Sequence, residues 1–130
     1  MSSLELVNKN YLYAIVGANT DPTRYGYIIL NNLFKKGYQV VGINPKYKKI
    51  DEVDCYPSLT ALPNKPDVVV FVVPPIIGLE ILDEVRQLGI DKVWFQPGAY
   101  NDEIIDKVKE LALQAVVDGS CIMVLTGYVK

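Results

Sequence analysis

Histidine is absent from this chain of 130 residues, and cysteine occurs only twice. Without histidine the commonest general base is missing, and no histidine phosphoenzyme, Ser-His pair or Cys-His pair can form within the chain. Cys55 and Cys121 lie far apart and make no Cys-x-x-Cys. Neither zinc-ligand spacing nor a disulfide framework is legible from them, and such usage fits a reducing compartment. Cys121 reads as a small buried residue that needs no catalytic role. Long hydrophobic runs are also missing: none approaches the roughly 20 residues that span a bilayer. Met1-Ser2-Ser3-Leu4-Glu5 lacks the basic region and apolar stretch of a signal peptide, so the cytoplasm is the expected location. Charge of one sign is scarce. A net charge of −2 gives bulk electrostatics no reason to attract nucleic acid or an acidic membrane surface. There is no linker, repeat or low-complexity stretch, so residues 1–130 are expected to form one domain.

Half of the residues are apolar, enough for one sizeable core at this length. They fall into runs with two different periods. Leu12 to Val16 and Gln39 to Ile43 read as strands, and Asp67 to Val73 as a central strand buried on both faces. Lys92 to Phe95 and Ala115 to Val117 read as two more, and Cys55-Tyr56-Pro57-Ser58-Leu59 as a short strand with one helical turn. Between these lie segments of helical period. Asp21-Pro22 looks like an N-cap followed by a first-turn proline, with Tyr25, Ile28, Ile29, Leu33 and Phe34 on the inner face and Gly37 at the end. Pro74-Pro75 opens a second helix through Leu79, Leu82, Val85 and Leu88. Asn101 caps a third, with Asp102 and Glu103 in its positive first turn and Ile104, Ile105, Val108 and Leu111 facing inward. Asp118-Gly119-Ser120 reads as an ordinary turn, and Cys121 to Tyr128 as a short tail. This alternation predicts an α/β fold: one doubly wound, mostly parallel sheet of about five strands with helices on both faces.

In such a sheet, ligands bind beyond the carboxyl ends of the strands. Four segments with unusual residues fall on that edge: Gly17-Ala18-Asn19-Thr20, Asn44-Pro45-Lys46, Val73-Pro74-Pro75 and Gln96-Pro97-Gly98. The opposite edge has ordinary turns, such as Lys36-Gly37-Tyr38 and Gly89-Ile90-Asp91. The first loop is no full GxGxxG, because Asn19 stands where the second glycine would let a pyrophosphate approach. Its backbone N–H groups from Gly17 to Thr20 still suit a phosphate, and the following helix dipole would assist. Asp21 would oppose an anion unless its carboxylate is occupied in capping. Arg24 has two readings, a phosphate contact or a solvated surface residue. The segment after the second strand is the most telling. A Rossmann unit for NAD carries an acidic residue there to accept bonds from the ribose hydroxyls. This chain has Asn44-Pro45-Lys46, with Lys48 and Lys49 close by. A nucleotide with an extra phosphate, such as coenzyme A, suits it better than NAD, the bland alternative being that Lys46 is a solvated turn residue. Pro74 and Pro75 make a stiff, donor-poor ledge suited to a flat ring or an apolar arm, or simply a helix entry.

The segments Ala14 to Ala18 with Asp21 to Tyr25, Gly37 to Lys46, Cys55 to Leu59, Trp94 to Gly98, and Asp118 to Cys121 occur together in an informative order. In this combination the chain, from about Tyr11 to about Met123, resembles the small stand-alone coenzyme A-binding domain proteins. These are similar to the N-terminal domain of the succinyl-CoA synthetase α subunit. The resemblance implies a Rossmann-type fold holding CoA along the carboxyl edge. Gly17, Ala18 and Asn19 would touch the nucleotide end and Asn44, Pro45 and Lys46 would flank it, with Val73, Pro74, Gln96, Pro97 and Gly98 along the remaining wall. Two departures stand out: Asn19 replaces a smaller or hydroxyl-bearing residue, and Gly119-Ser120 adds a residue before Cys121. The second domain of the synthetase, with its phosphorylated histidine, has no counterpart here. The expectation is therefore a protein that binds CoA or an acyl-CoA without catalysis of its own, as a carrier, a sensor or a subunit for a separate protein partner. The rivals are a small NADP-dependent oxidoreductase with Lys46 on the 2′-phosphate, and a regulatory interaction protein on an empty scaffold.

Overall fold

The computed structural model describes residues 3–127. Strand β1 (Leu12–Val16) and strand β5 (Val68–Phe71) form the centre of the sheet, and almost every side chain in them is buried. The remaining strands are β2 (Gln39–Ile43), β3 (Lys49–Ile50), β4 (Val53–Tyr56), β6 (Lys92–Phe95) and β7 (Gln114–Val116). They form one seven-stranded sheet in the order β3-β4-β2-β1-β5-β6-β7. All pairings are parallel except β3 with β4, which is antiparallel. The expected fold class holds, but the strand count is higher than expected. The expected short strand at Cys55-Tyr56 is β4, and the unforeseen one is β3 (Lys49–Ile50), which pairs with it as a small hairpin in the polar stretch after β2. Two-residue strands carry no readable period, which is why composition hid this one.

Helices α1 (Tyr25–Lys35) and α4 (Ile122–Leu125) cover one face, and α2 (Pro75–Gln87) with α3 (Asp102–Glu110) the other. The strand period of two sorts the core between them. Tyr13, Ile15, Val68, Val70 and Trp94 pack with Ile29, Leu30, Leu33, Ile122 and Met123. Ala14, Val16, Val69, Phe71, Val93 and Phe95 pack with Leu82, Val85, Ile104 and Val108. On that second face the rings of Phe71 and Phe95 stack with centroids 4.2 Å apart. None of the described helices is long and apolar enough to cross a membrane.

Helix ends decide several details. Asn101 caps α3 as expected, its side chain accepting from the Ile104 N–H at 3.1 Å. Pro75 opens α2 as expected. Helix α1 differs: it begins at Tyr25, not at Asp21-Pro22, and its N-cap is Arg24 without any side-chain cap. Asp21 instead closes a local turn, accepting from the N–H and hydroxyl of Thr23 at 2.9 and 2.7 Å. A carboxylate two residues before a donor takes the tighter turn in preference to the cap. Of the expected inner face, Tyr25 and Phe34 are exposed, Ile28 is half-buried, and only Ile29 and Leu33 are fully buried. The segment after Pro57 makes hydrogen-bonded turns, Ala61 N–H to Ser58 O and Leu62 N–H to Leu59 O, in place of the expected helical turn. The C-terminal segment contains α4, and Tyr128 of the expected tail lies outside the described residues.

Candidate functional site

Strand order creates the site. From β1 the chain crosses through α1 to β2 on one side, whereas β5 leads through α2 to β6 on the other. The crevice at that divergence, between the carboxyl ends of β1 and β5, is where open α/β sheets bind ligands. A cleft of about 880 Å³ lies there. Gly17, Asn19, Thr23 and Arg24 line it from the loop between β1 and α1, Tyr25, Gly26 and Ile29 from α1, Val72 to Pro75 after β5, Gln96 to Ala99 after β6, and Cys121 and Met123 from the N-cap and first turn of α4.

Two glycines bring the walls together. Gly17 has φ +94°, and a Cβ there would stand 2.5 Å from the Val72 carbonyl oxygen. Gly26 allows the start of α1 to lie against β1: its Cβ would be 1.9 Å from the Gly17 carbonyl oxygen. Gly26 thus does the helix-packing job that the last glycine does in a GxGxxG loop. Between them, the loop ties itself. The Asp21 N–H donates to Asn19 Oδ1 at 2.7 Å, and Asp21 holds Thr23. The hydrogen bonds from Thr23, with a smaller contribution from Arg24, hold the Asp21 carboxyl below its ordinary value. Arg24 Nε stands 3.9 Å from Asp21 Oδ2, both side chains being well exposed, so this pair contributes little to stability.

Of the loop N–H groups expected to face a phosphate, only that of Gly17 is engaged, and those of Ala18, Asn19 and Thr20 have no acceptor among the described residues. Gly17 N–H is already donated to Ile43 O at 3.2 Å, so it is not available to a ligand. The uncapped α1 compensates, because the N–H groups of Tyr25 and Gly26 have no acceptor among the described residues.

Nine of the thirteen expected site residues border the cleft: Gly17, Asn19, Arg24, Val73, Pro74, Pro75, Gln96, Pro97 and Gly98. Ala18, Asn44, Pro45 and Lys46 do not. Ala18 is buried, and its carbonyl accepts from Asn44 Nδ2 at 2.9 Å. Asn44 Oδ1 accepts from Lys46 N–H at 2.9 Å, so the Asn44 amide clamps two loops together. Pro45 and Lys46 stand exposed at the end of β2, beside the cleft's β1 side. Gln96 is buried. Its Oε1 accepts from Ile122 N–H at 2.9 Å and its Nε2 donates to Cys121 Sγ at 3.2 Å. Trp94 Nε1 donates to Ser120 O at 3.0 Å and Lys36 Nζ to Met123 O at 3.1 Å, so the C-terminal segment is held as the cleft's far wall.

Tyr25, Gly26, Cys121 and Met123 were not among the expected site residues. The Gly17-to-Gly26 spacing was a usable signal for the first two. Nothing in the sequence places Cys121 there. It is half-buried in the cleft wall, not buried in the core, because α4 folds back over β6.

A protein-family model described as a CoA binding domain matches residues 12–127. Among curated proteins, the chain is 27% identical over 124 residues to an ADP-forming acetate–CoA ligase of Methanocaldococcus jannaschii, covering 90% of this chain but 18% of that enzyme. A solved structure of a conserved hypothetical protein from Pyrococcus furiosus superposes with TM-score 0.83 at 43% identity, covering 88% of this chain and 97% of that one. A dinucleotide-forming acetyl-coenzyme A synthetase of Ca. Korarchaeum cryptofilum, solved with phosphate and ADP, superposes with TM-score 0.75 at 26% identity, covering 85% of this chain and 26% of that one.

Proposed function

Since the chain belongs to the CoA binding domain family, we propose that it binds coenzyme A or an acyl-CoA along the carboxyl edge of its sheet and catalyses nothing on its own. One observation carries this reading. The cleft over the switch point has, at the start of α1, backbone N–H groups without acceptors among the described residues, and a proline-walled, uncharged surface after β5. CoA has the matching halves: an anionic pyrophosphate and a neutral pantetheine arm.

Strand order gives the ligand its direction. With β2, β1, β5 and β6 adjacent in that sequence, the ribose phosphate would reach Lys46 at the end of β2. The pyrophosphate would sit against Tyr25 and Gly26, assisted by Arg24. The arm would cross Val73, Pro74 and Pro75, and the thiol would arrive near Gln96, Pro97 and Gly98. The chain spans only about a fifth of the M. jannaschii enzyme's length, and the proposal is confined to binding. A carrier, a sensor or a subunit for a separate catalytic chain fits this arrangement.

Calorimetry with CoA, NADP and NAD tests the reading. CoA should bind most tightly. Tighter binding of NAD than of CoA would reject it, and exclusive binding of NADP would favour an oxidoreductase that uses Lys46 on a 2′-phosphate.

A further inference from the structure

The floor and far wall of the cleft are nearly free of charge. Arg24 is the only charged side chain lining it among the described residues, and it stands at the α1 rim, exposed and beside Asp21. The floor is made of Ile29, Ala99 and Met123, all buried. The one buried polar side chain there, Gln96, has its amide engaged by Ile122 N–H and Cys121 Sγ.

We infer that the β6–α4 end of this cleft accepts the acyl group of an acyl-CoA and selects uncharged, apolar acyl groups over those ending in a carboxylate. The inference rests on the CoA reading above, which brings the thiol to that end. An acyl methyl or methylene placed against Ala99, Met123 and the proline wall leaves water for apolar contact and gains affinity. A terminal carboxylate at the same place would lose hydration with no charged side chain at that end, among the described residues, to receive it. Arg24 belongs to the opposite, β1 side of the cleft, where the pyrophosphate would engage it.

The test is calorimetric titration of the full chain with CoA, butyryl-CoA and succinyl-CoA, whose acyl groups match in carbon number and differ at the terminus. Butyryl-CoA should bind at least as tightly as CoA, and succinyl-CoA at least about tenfold more weakly than butyryl-CoA. Pro97→Lys, at an exposed turn position lining that end, should narrow the ratio between the two thioesters by supplying the missing cation. Equal affinity for butyryl-CoA and succinyl-CoA, exclusion of both relative to CoA, or a ratio unmoved by Pro97→Lys would each overturn the inference while leaving CoA binding intact. Failure of all three ligands to bind would instead overturn the CoA reading and this inference with it.

Discussion

Under the proposed CoA reading, Lys46 is the residue that tests the choice of nucleotide. It is an exposed side chain at the end of β2, outside the cleft but on the side where a ribose phosphate would project. A charge-assisted contact to phosphate is worth roughly 1.5–3 kcal/mol, or about ten- to a hundredfold in affinity. Lys46→Ala should weaken CoA binding by about that factor and change folding stability by less than about 0.5 kcal/mol, as expected for an exposed site. Titration with dephospho-CoA separates the possible partners. A much smaller loss there assigns Lys46 to the ribose phosphate, equal losses move it to the pyrophosphate, and no loss for either ligand leaves it a solvated turn residue. At this scale the sequence was most informative, since Lys46 and the absence of an acidic residue beside it are visible without coordinates. Asn44 is the opposite case. It looks like a ligand contact, yet its amide is spent on Ala18 O and Lys46 N–H.

At the scale of elements, the contact between α1 and β1 shapes the site. Gly26→Ala would gain roughly 1 kcal/mol in helix propensity. Its methyl group, however, would meet a backbone oxygen at 1.9 Å, which no rotamer change can relieve. The clash wins, at about 3 kcal/mol or more of destabilisation, and the helix start must retreat from the cleft. Denaturant unfolding should show that loss of stability, and CoA affinity should fall alongside it. A variant as stable as the parent would mean that α1 shifts freely and that the cleft is not fixed by this contact. Strand and helix order was readable from the two periods in the sequence, and so were the Asn101 cap and the Pro75 start. The late start of α1 was not, because Asp21 serves a cap or a local turn equally well in sequence and only its bonds to Thr23 choose between them.

For the whole molecule, two expectations follow from how the fold is closed. Tyr13 lies in the core, its hydroxyl donating to Leu6 O at 2.6 Å and accepting from Asn8 N–H at 3.0 Å. Burial is the main cause that pushes its phenol from the ordinary 10 to about 12. A raised value means that the folded state holds this proton more tightly than the unfolded chain. The stabilisation is therefore complete below pH 10 and is lost as the pH rises through 12. Thermal melts across that window should show falling stability, with a shallower fall in Tyr13→Phe; identical slopes would sink the assignment. The second expectation concerns chemistry. The chain has no histidine, and the purified protein given CoA, a carboxylic acid and ATP or GTP should form no thioester. Turnover by the protein alone would refute this, whereas activity only with an added partner polypeptide would agree with it.

The sequence by itself determined the α/β class, the parallel core and the edge on which the cleft lies. Hydrophobic period and turn residues are local properties, and they need no knowledge of what packs against them. Tertiary structure alone decided which of the edge residues share one cavity. The strand order put the loops after β1, β5 and β6 around the cleft and left Asn44, Pro45 and Lys46 at its flank. The fold-back of α4, held by Gln96, Trp94 and Lys36, brought Cys121 and Met123 into the wall. Those contacts join residues far apart in the chain, and no local pattern encodes a distance between segments that meet only after the sheet has formed.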